Sequence, residues 1–126
     1  MKFLPDTNIL IYVGEKHPIV STLFDSWLDN QQVAISVVTV SEFIIKASSS
    51  DIEYLQHVIN VAHVFNVDMY TAKLAAQYRK QSLKNTRTHL LDCYLAATAK
   101  LHDLTLVTRN TADFPMTDIH LLNPFA

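Results

Sequence analysis

Four acidic residues stand at positions along the chain where their carboxylates could act together: Asp6, Glu42, Asp92 and Asp113. Each lies at the end of an apolar run typical of a buried strand, or near the start of a predicted helix. In a parallel sheet, the loops after the strands and the starts of the helices lie at one edge, so the four carboxylates are predicted to meet in one crevice. Crowded carboxylates repel one another unless a cation lies among them, and Mg²⁺ and Mn²⁺ prefer oxygen ligands. The pattern therefore predicts a metal site of the kind that supports hydrolysis of phosphodiester bonds.

Structural explanations compete with this hypothesis when each acid is taken alone. Asp6 begins a predicted helix and could cap it, because an Asp side chain accepts hydrogen bonds from the first backbone N–H groups. Glu42 matches a capping box with Thr39, and it also matches an ion pair with Lys46 one helical turn later. Asp92 lies in the first turn of a predicted helix, where the helix dipole favours a carboxylate, and Asp113 lies three residues after a capping Asn110. The hypothesis therefore rests on the joint placement of the four carboxylates.

Apolar runs and amphipathic segments alternate along the chain and would position these acids. The strand candidates lie at residues 3–4, 33–36, 64–67, 104–108 and 119–122, the last predicted as an edge strand. Helical periodicity fills the segments between them, with Asp51 and Thr88 among the predicted caps. Strands that alternate with helices predict an α/β fold, a three-layer α/β/α sandwich with a central parallel sheet of about five short strands. The length of 126 residues predicts a single domain, 1–126.

Composition excludes several other classes of site. Cys93 is the single cysteine, so neither an internal disulfide nor a cysteine-based zinc site can form, which fits a reducing cytoplasm. Gly14 is the single glycine, which excludes a Gly-rich phosphate loop. No apolar run reaches about 18 residues and Asp6 interrupts the N-terminal stretch, so neither a membrane span nor a signal peptide is predicted. The histidines lack zinc-binding spacing, although His89 lies within one helical turn of Asp92 and could approach the crevice.

Four motifs carry a resemblance to a known family: Leu4-Pro5-Asp6-Thr7-Asn8, Ser36 with Glu42, Asp92-Cys93-Tyr94-Leu95-Ala96-Ala97-Thr98-Ala99, and Leu106-Val107-Thr108-Arg109-Asn110 with Asp113-Phe114. In order and rough spacing these motifs resemble the PIN-domain family, in particular the VapC-type toxins of prokaryotic toxin–antitoxin pairs. The resemblance spans nearly the whole chain, and its last motif is the most specific. Pro5 departs from the usual aliphatic residue and Cys93 from a common alanine, but neither change removes an acid.

The resemblance implies a metal-dependent endoribonuclease that hydrolyses RNA, is usually a homodimer and is silenced by a cognate antitoxin. It implies that the four acids are catalytic residues that hold Mg²⁺ or Mn²⁺. It also implies that Thr7, Thr108 and Asn110 support the site through polar contacts.

A basic segment lies within a mildly acidic protein. The net charge is −2, yet seven of the ten Lys and Arg residues fall between positions 73 and 109. Arg79, Lys84 and Arg87 precede the helix that carries Asp92, so they are predicted to contact RNA phosphates that enter the crevice. The alternative is an ordinary solvated helix face.

Two other functions fit parts of the pattern. The chain could be a non-catalytic domain of the same fold that binds RNA or docks a protein. A metal-dependent nuclease assay with all four carboxylates intact distinguishes this function from that of an enzyme. A phospho-acceptor signalling domain also gathers acids at the end of its first strand. It requires a lysine at the end of its last strand, however, where this chain has Leu122-Asn123-Pro124.

Overall fold

The computed structural model describes residues 2–126, and that part of the chain contains five short strands and six α-helices. The strands are β1 (Phe3–Pro5), β2 (Ala34–Ser36), β3 (His63–Phe65), β4 (Thr105–Val107) and β5 (His120–Leu122). The helices are α1 (Thr7–Gly14), α2 (Pro18–Asp29), α3 (Val37–Lys46), α4 (Ser49–Val61), α5 (Met69–Gln81) and α6 (Leu90–Leu101), and a 3₁₀ helix covers Thr111–Asp113. No helix within residues 2–126 has the length and apolar character that crossing a membrane requires.

All strand pairs are parallel, and the strand order is β3-β2-β1-β4-β5. β1 pairs with β4, β4 with β5, and β2 with β3. A parallel bridge between Phe3 and Val33 joins the two groups of strands. The chain first adds strands on one side of β1 and later on the other, and in such sheets ligands bind beyond the carboxyl ends of the strands at this reversal. The predicted parallel α/β fold is therefore confirmed, with β5 as an edge strand.

Side chains of neighbouring strand residues point to opposite faces of the sheet and build two cores. Ile35 and Val107 pack into a core shared with α1, α2, α3 and α4. Ala34 and Leu106 point to the other face and pack into a core shared with α5 and α6. Helices therefore cover both faces, which confirms the predicted three-layer sandwich.

Two predicted helix caps are wrong. α4 is capped by Ser48, whose Oγ accepts a hydrogen bond from the N–H of Asp51 at 3.4 Å, so Asp51 lies inside the first turn. The N-cap residue of α6 is His89, and the Thr88 hydroxyl instead donates to the carbonyl oxygen of Asp113 at 2.9 Å. A run of polar residues offers several local caps, and contacts elsewhere in the fold decide which one is used.

Six large apolar side chains that helical periodicity predicts in a core are exposed, and three of them lie on α3 and α6. The exposed fractions are 49% for Ile44, 42% for Leu91 and 43% for Leu101. On α6 the buried face consists largely of small side chains such as Ala96 and Ala99. The periodicity of the largest apolar residues misplaced this face, because small residues make the contact with the sheet.

Candidate active site

Asp6 lies directly beyond β1, where the chain turns from the sheet into α1. Its N–H donates to the carbonyl oxygen of Val107 at 3.0 Å, which extends the pairing of β1 with β4. Its Oδ1 accepts a hydrogen bond from the N–H of Ile9 at 2.9 Å, so Asp6 is the N-cap residue of α1. The capping explanation is therefore correct, and the same contact fixes the carboxylate at the carboxyl edge of the sheet. Pro5 is the last residue of β1, a position where proline is tolerated.

Glu42 lies on α3 and is held by a residue of α1. The Thr7 hydroxyl donates to Glu42 Oε1 at 2.8 Å. The capping box of Glu42 with Thr39 is wrong, because α3 begins earlier and Ser36 is its N-cap residue. The predicted ion pair of Glu42 with Lys46 is also wrong, since it is not among the ion pairs within residues 2–126. Neither structural explanation accounts for Glu42.

Asp92 lies in the first turn of α6, as predicted. Its Oδ2 accepts a hydrogen bond from the N–H of His89 at 2.9 Å, which is one half of a capping box. The carboxylate therefore stands at the positive end of the helix dipole, which favours its charged form. α6 thus delivers Asp92 to the same edge of the sheet as Asp6.

Asp113 ends the 3₁₀ helix and is tied to the loop before α6. Nε of Arg87 donates to Oδ1 of Asp113 at 3.2 Å, and the two form an ion pair. The Thr88 hydroxyl donates to the carbonyl oxygen of Asp113. These two contacts hold the segment after β4 against the start of α6, so Asp113 approaches Asp92.

All four predicted acids line one cleft of about 180 Å³ at this edge. The remaining lining residues are Thr7, Asn8, Lys46, His89, Leu95 and Asn110. The sequence predicted that Thr7 and Asn110 support the site and that His89 approaches it, but it did not predict Asn8, Lys46 or Leu95 in the cleft wall. Lys46 follows Glu42 by one turn and Leu95 follows Asp92 by three residues, so helical spacing was a signal that could have found both.

Thr108 lies beneath the cleft rather than in its wall. The residue is fully buried and its side chain hydrogen-bonds to the Asp6 carboxylate. Its Oγ1 also accepts a hydrogen bond from the N–H of Asn110 at 3.1 Å. Thr108 therefore connects an acid from the start of the chain with the loop that follows β4.

The acids influence one another's protonation. Burial raises the pKa of the Asp6 carboxyl above its ordinary 3.8, hydrogen bonds from Ile9 and Thr108 oppose the rise, and the charges of Asp92 and Glu42 add to it. The pKa of Asp92 is also raised, first by burial and then by the charges of nearby acids, against the hydrogen bond from the helix start. Positive charge placed in the cleft would relieve this repulsion.

Oxygen donors suited to a hard divalent cation surround the cleft, but they do not close around one point. Within residues 2–126, no three His, Cys, Asp or Glu side chains are arranged to hold a metal ion directly. One oxygen of each acid already accepts a hydrogen bond from the protein: Oδ1 of Asp6, Oε1 of Glu42, Oδ2 of Asp92 and Oδ1 of Asp113. Mg²⁺ usually keeps several waters and binds through one or two carboxylates. The donor set therefore fits a hydrated cation better than a bare one.

A larger cavity, of about 510 Å³, lies between α1, α2 and α4 and contains none of the four acids. Tyr54 lines it, and within the described residues its buried hydroxyl has no hydrogen-bond partner. Burial and the nearby charge of Asp25 raise the pKa of Tyr54 to about 12. Such a phenol stays protonated at neutral pH and is not a base, so the acidic cleft is the better candidate for chemistry.

The three basic residues predicted to bind RNA differ in their surroundings. Arg87 reaches the cleft through its ion pair with Asp113. Nη1 of Arg79, near the end of α5, donates to the carbonyl oxygen of Ser82 at 3.2 Å. Lys84 is exposed in the loop between α5 and α6. Arg87 is thus the one of the three that contacts a cleft residue.

Comparisons with known proteins agree with this arrangement. The PIN domain family model matches residues 3–118. Toxin FitB of Neisseria gonorrhoeae is 28% identical over 138 aligned positions, which cover 97% of both chains. A toxin–antitoxin complex from Klebsiella pneumoniae contains a chain with 27% identity, a TM-score of 0.80 and coverage of 98% of both chains. FitAcB from Neisseria gonorrhoeae gives 27% identity, a TM-score of 0.73 and the same coverage. With a family model that matches nearly its whole length and four acids at one edge of a parallel sheet, this chain belongs to the PIN-domain family.

Proposed function

We propose that this chain is a metal-dependent endoribonuclease that hydrolyses RNA phosphodiester bonds, and that it is the toxin of a toxin–antitoxin pair. The observation that carries the proposal is the meeting of Asp6, Glu42, Asp92 and Asp113 in one cleft. Membership of the PIN-domain family and similarity to Toxin FitB support it. We further propose that residues 1–126 act as one nuclease domain.

In this proposal the four acids are the catalytic residues and the ligands of Mg²⁺ or Mn²⁺. A bound cation would neutralise charge on the phosphate and stabilise the leaving oxygen. The protein supplies carboxylates that are already placed by backbone N–H groups, since Asp6 caps α1 and Asp92 accepts from the N–H of His89 at the start of α6. Placement before the reaction lowers the cost of ordering these groups in the transition state.

Three polar residues have supporting roles in the same proposal. Thr7 orients Glu42 through its hydroxyl, which donates at 2.8 Å. Thr108 hydrogen-bonds to Asp6 from below. Asn110 presents its side chain in the wall of the cleft. Each fixes a ligand or lines the site without adding charge.

A cognate antitoxin, a homodimeric state and a cytoplasmic location complete the proposal. Its support is the similarity of this chain to chains in the Klebsiella pneumoniae toxin–antitoxin complex and in FitAcB, over 98% of its length. Co-expression with the product of a neighbouring gene that encodes a small DNA-binding protein tests the partner. Light scattering of the purified chain and of the complex gives the two stoichiometries.

Sequencing of RNA ends tests the enzymatic function. The purified chain is incubated with total bacterial RNA in Mg²⁺, in Mn²⁺ and in EDTA. We expect new ends at a restricted set of sites in the presence of metal and none in EDTA. Cleavage that ignores EDTA would contradict the metal requirement. RNA binding without cleavage in any metal would favour the non-catalytic module. In that case the four carboxylates would serve only the structural hydrogen bonds that they already make.

The basic residues provide a separate prediction about binding. We expect the combined change of Arg79, Lys84 and Arg87 to Ala to weaken binding of single-stranded RNA. The slope of log affinity against log salt concentration should flatten by roughly 0.7 for each phosphate that the protein no longer binds. Fluorescence anisotropy at several salt concentrations measures this slope, and Lys73→Ala, an exposed cation near the opposite end of α5, is the matched control. A triple variant whose slope equals that of the control would assign these residues to a solvated face.

A further inference from the structure

Arg109 follows β4, between Thr108 and Asn110, yet its side chain lies on aromatic rings. Its Cζ is 4.3 Å from the ring centroid of Phe125 and 5.7 Å from that of Tyr12. The two rings meet edge to face, with centroids 5.4 Å apart. A guanidinium over an aromatic face gains a cation–π interaction, while its N–H donors lie in its own plane and stay available to another partner.

The end of the chain holds this arrangement in place. The N–H of Thr108 donates to the carbonyl oxygen of Leu122 at 3.0 Å, which continues the pairing of β4 with β5. Nδ2 of Asn123 donates to the carbonyl oxygen of Arg109 at 3.4 Å, and Oδ1 of the same Asn123 accepts from the N–H of Phe125 at 2.9 Å. The C-terminal residues therefore fix both the backbone and the side chain of Arg109.

Arg109 differs in its partners from the two other arginines of the chain. Arg87 is neutralised by Asp113, and Arg79 donates to a backbone carbonyl. No carboxylate within residues 2–126 forms an ion pair with Arg109, although the residue is exposed. An exposed guanidinium whose face is covered and whose charge is not neutralised is suited to a bidentate contact with an anion such as a phosphate.

We propose that Arg109 is a phosphate-binding residue for the RNA strand beside the acidic cleft, and that Phe125 is a positioning residue that acts through Arg109. The inference rests on the proposed ribonuclease function. The neighbours of Arg109 explain the location, because Asn110 lines the cleft and Thr108 supports Asp6. Arg109 itself does not line the cleft, so its expected partner is a phosphate that flanks the cleaved bond, and the contact contributes to substrate binding rather than to the chemical step.

The test uses the full-length protein and a short single-stranded RNA that spans a cleavage site mapped for the wild type. We expect Arg109→Ala to raise KM about tenfold with kcat little changed, as for loss of a charged hydrogen bond. Phe125→Leu should raise KM about threefold, as for loss of an exposed cation–π interaction, and Phe125→Trp should restore the wild-type value. The matched control is Lys100→Ala, an exposed cation in the last turn of α6. Fluorescence anisotropy of the same RNA in EDTA gives a second readout. Arg109→Ala should flatten the slope of log affinity against log salt concentration by about 0.7, whereas Lys100→Ala should leave the slope unchanged.

A double variant tests the positioning role. If Phe125 acts through Arg109, the combination Arg109→Ala with Phe125→Leu should match Arg109→Ala alone, because the second change has nothing left to remove. A wild type that cleaves RNA while Arg109→Ala behaves like Lys100→Ala would overturn the inference and leave the proposed function intact. A lower kcat in both Phe125→Leu and Phe125→Trp would also overturn the inference, because that result means that Phe125 has a structural role. A wild type that neither binds nor cleaves RNA removes the proposed function itself.

Discussion

Asp92→Asn is expected to lose at least ~100-fold in the rate of RNA cleavage. A metal ligand supplies several kcal/mol of transition-state stabilisation, and each 1.4 kcal/mol is about tenfold in rate. Asparagine keeps a side-chain oxygen that can accept the hydrogen bond which the N–H of His89 now donates to Asp92. The substitution therefore removes the charge and leaves the cap, so that activity and folding are tested separately.

The rate is measured as the appearance of RNA ends at a mapped site, with Mn²⁺ in excess. Asp25→Asn is the matched control, because Asp25 is an exposed acid that lines the other cavity. Asp6→Asn should behave like Asp92→Asn, since Asp6 also combines a cap with a place in the cleft. An Asp92→Asn protein that cleaves RNA as fast as the Asp25→Asn control would refute the catalytic role of Asp92.

The metal-free protein should become more stable as the pH falls below 7. The folded-state pKa values of Asp6 and Asp92 are raised above the ordinary 3.8, chiefly by burial. Between the ordinary and the raised value the folded protein binds more protons than the unfolded chain, so lowering the pH through this interval increases the free energy of unfolding. General acid unfolding sets the lower limit of the effect. Thermal melts in EDTA at a series of pH values measure it.

A bound divalent metal should stabilise the fold at neutral pH, because its positive charge offsets the repulsion among the carboxylates that protonation relieves at lower pH. A hundredfold excess of Mn²⁺ over its dissociation constant should add about 2.7 kcal/mol to the free energy of unfolding of the wild type, and far less to Asp6→Asn or Asp92→Asn. In EDTA these two variants should melt at higher temperature than the wild type, because they lose repulsion and keep the cap. The matching Ala variants lose the cap as well, at about 1 kcal/mol. A wild type whose melting temperature ignores Mn²⁺, with every variant less stable, would mean that the acids are purely structural.

The convergence of the acids could be predicted from the sequence because it depends on topology. Once apolar runs alternate with helices, parallel strands follow, and the ends of those strands share one edge. Asp6 directly follows a strand, and Asp113 follows the loop after another, so both positions required only the order of elements. Asp92 required only that α6 begin at that edge. The order of elements brings these residues to the edge, and side-chain contacts such as those of Asp6 with Ile9 and of Asp113 with Arg87 then fix their carboxylates there.

Details that depend on tertiary contacts could not be predicted. The sequence around Thr88 offers a good cap, but the hydroxyl of Thr88 bonds to Asp113, which is 25 residues away. The cluster of Arg109 with Tyr12 and Phe125 joins three distant parts of the chain, and no local pattern marks it. Metal binding was inferred from residue type, whereas within residues 2–126 no three of the candidate side chains are arranged to hold an ion directly. The local sequence limits which residues can cap a helix or contact a neighbour, and the packing of distant segments decides which of these contacts form.

The double use of Asp6 and Asp92 has an evolutionary consequence. An aspartate codon becomes an asparagine codon by one base change, and at these two positions the product keeps the hydrogen bond that starts its helix. A single base change can therefore remove one negative charge of the cleft while the hydrogen bond at the start of the helix is kept. If the proposed function is correct, such changes would yield inactive proteins that still fold, and the hydrogen bond at these two helix starts would not by itself preserve aspartate over asparagine.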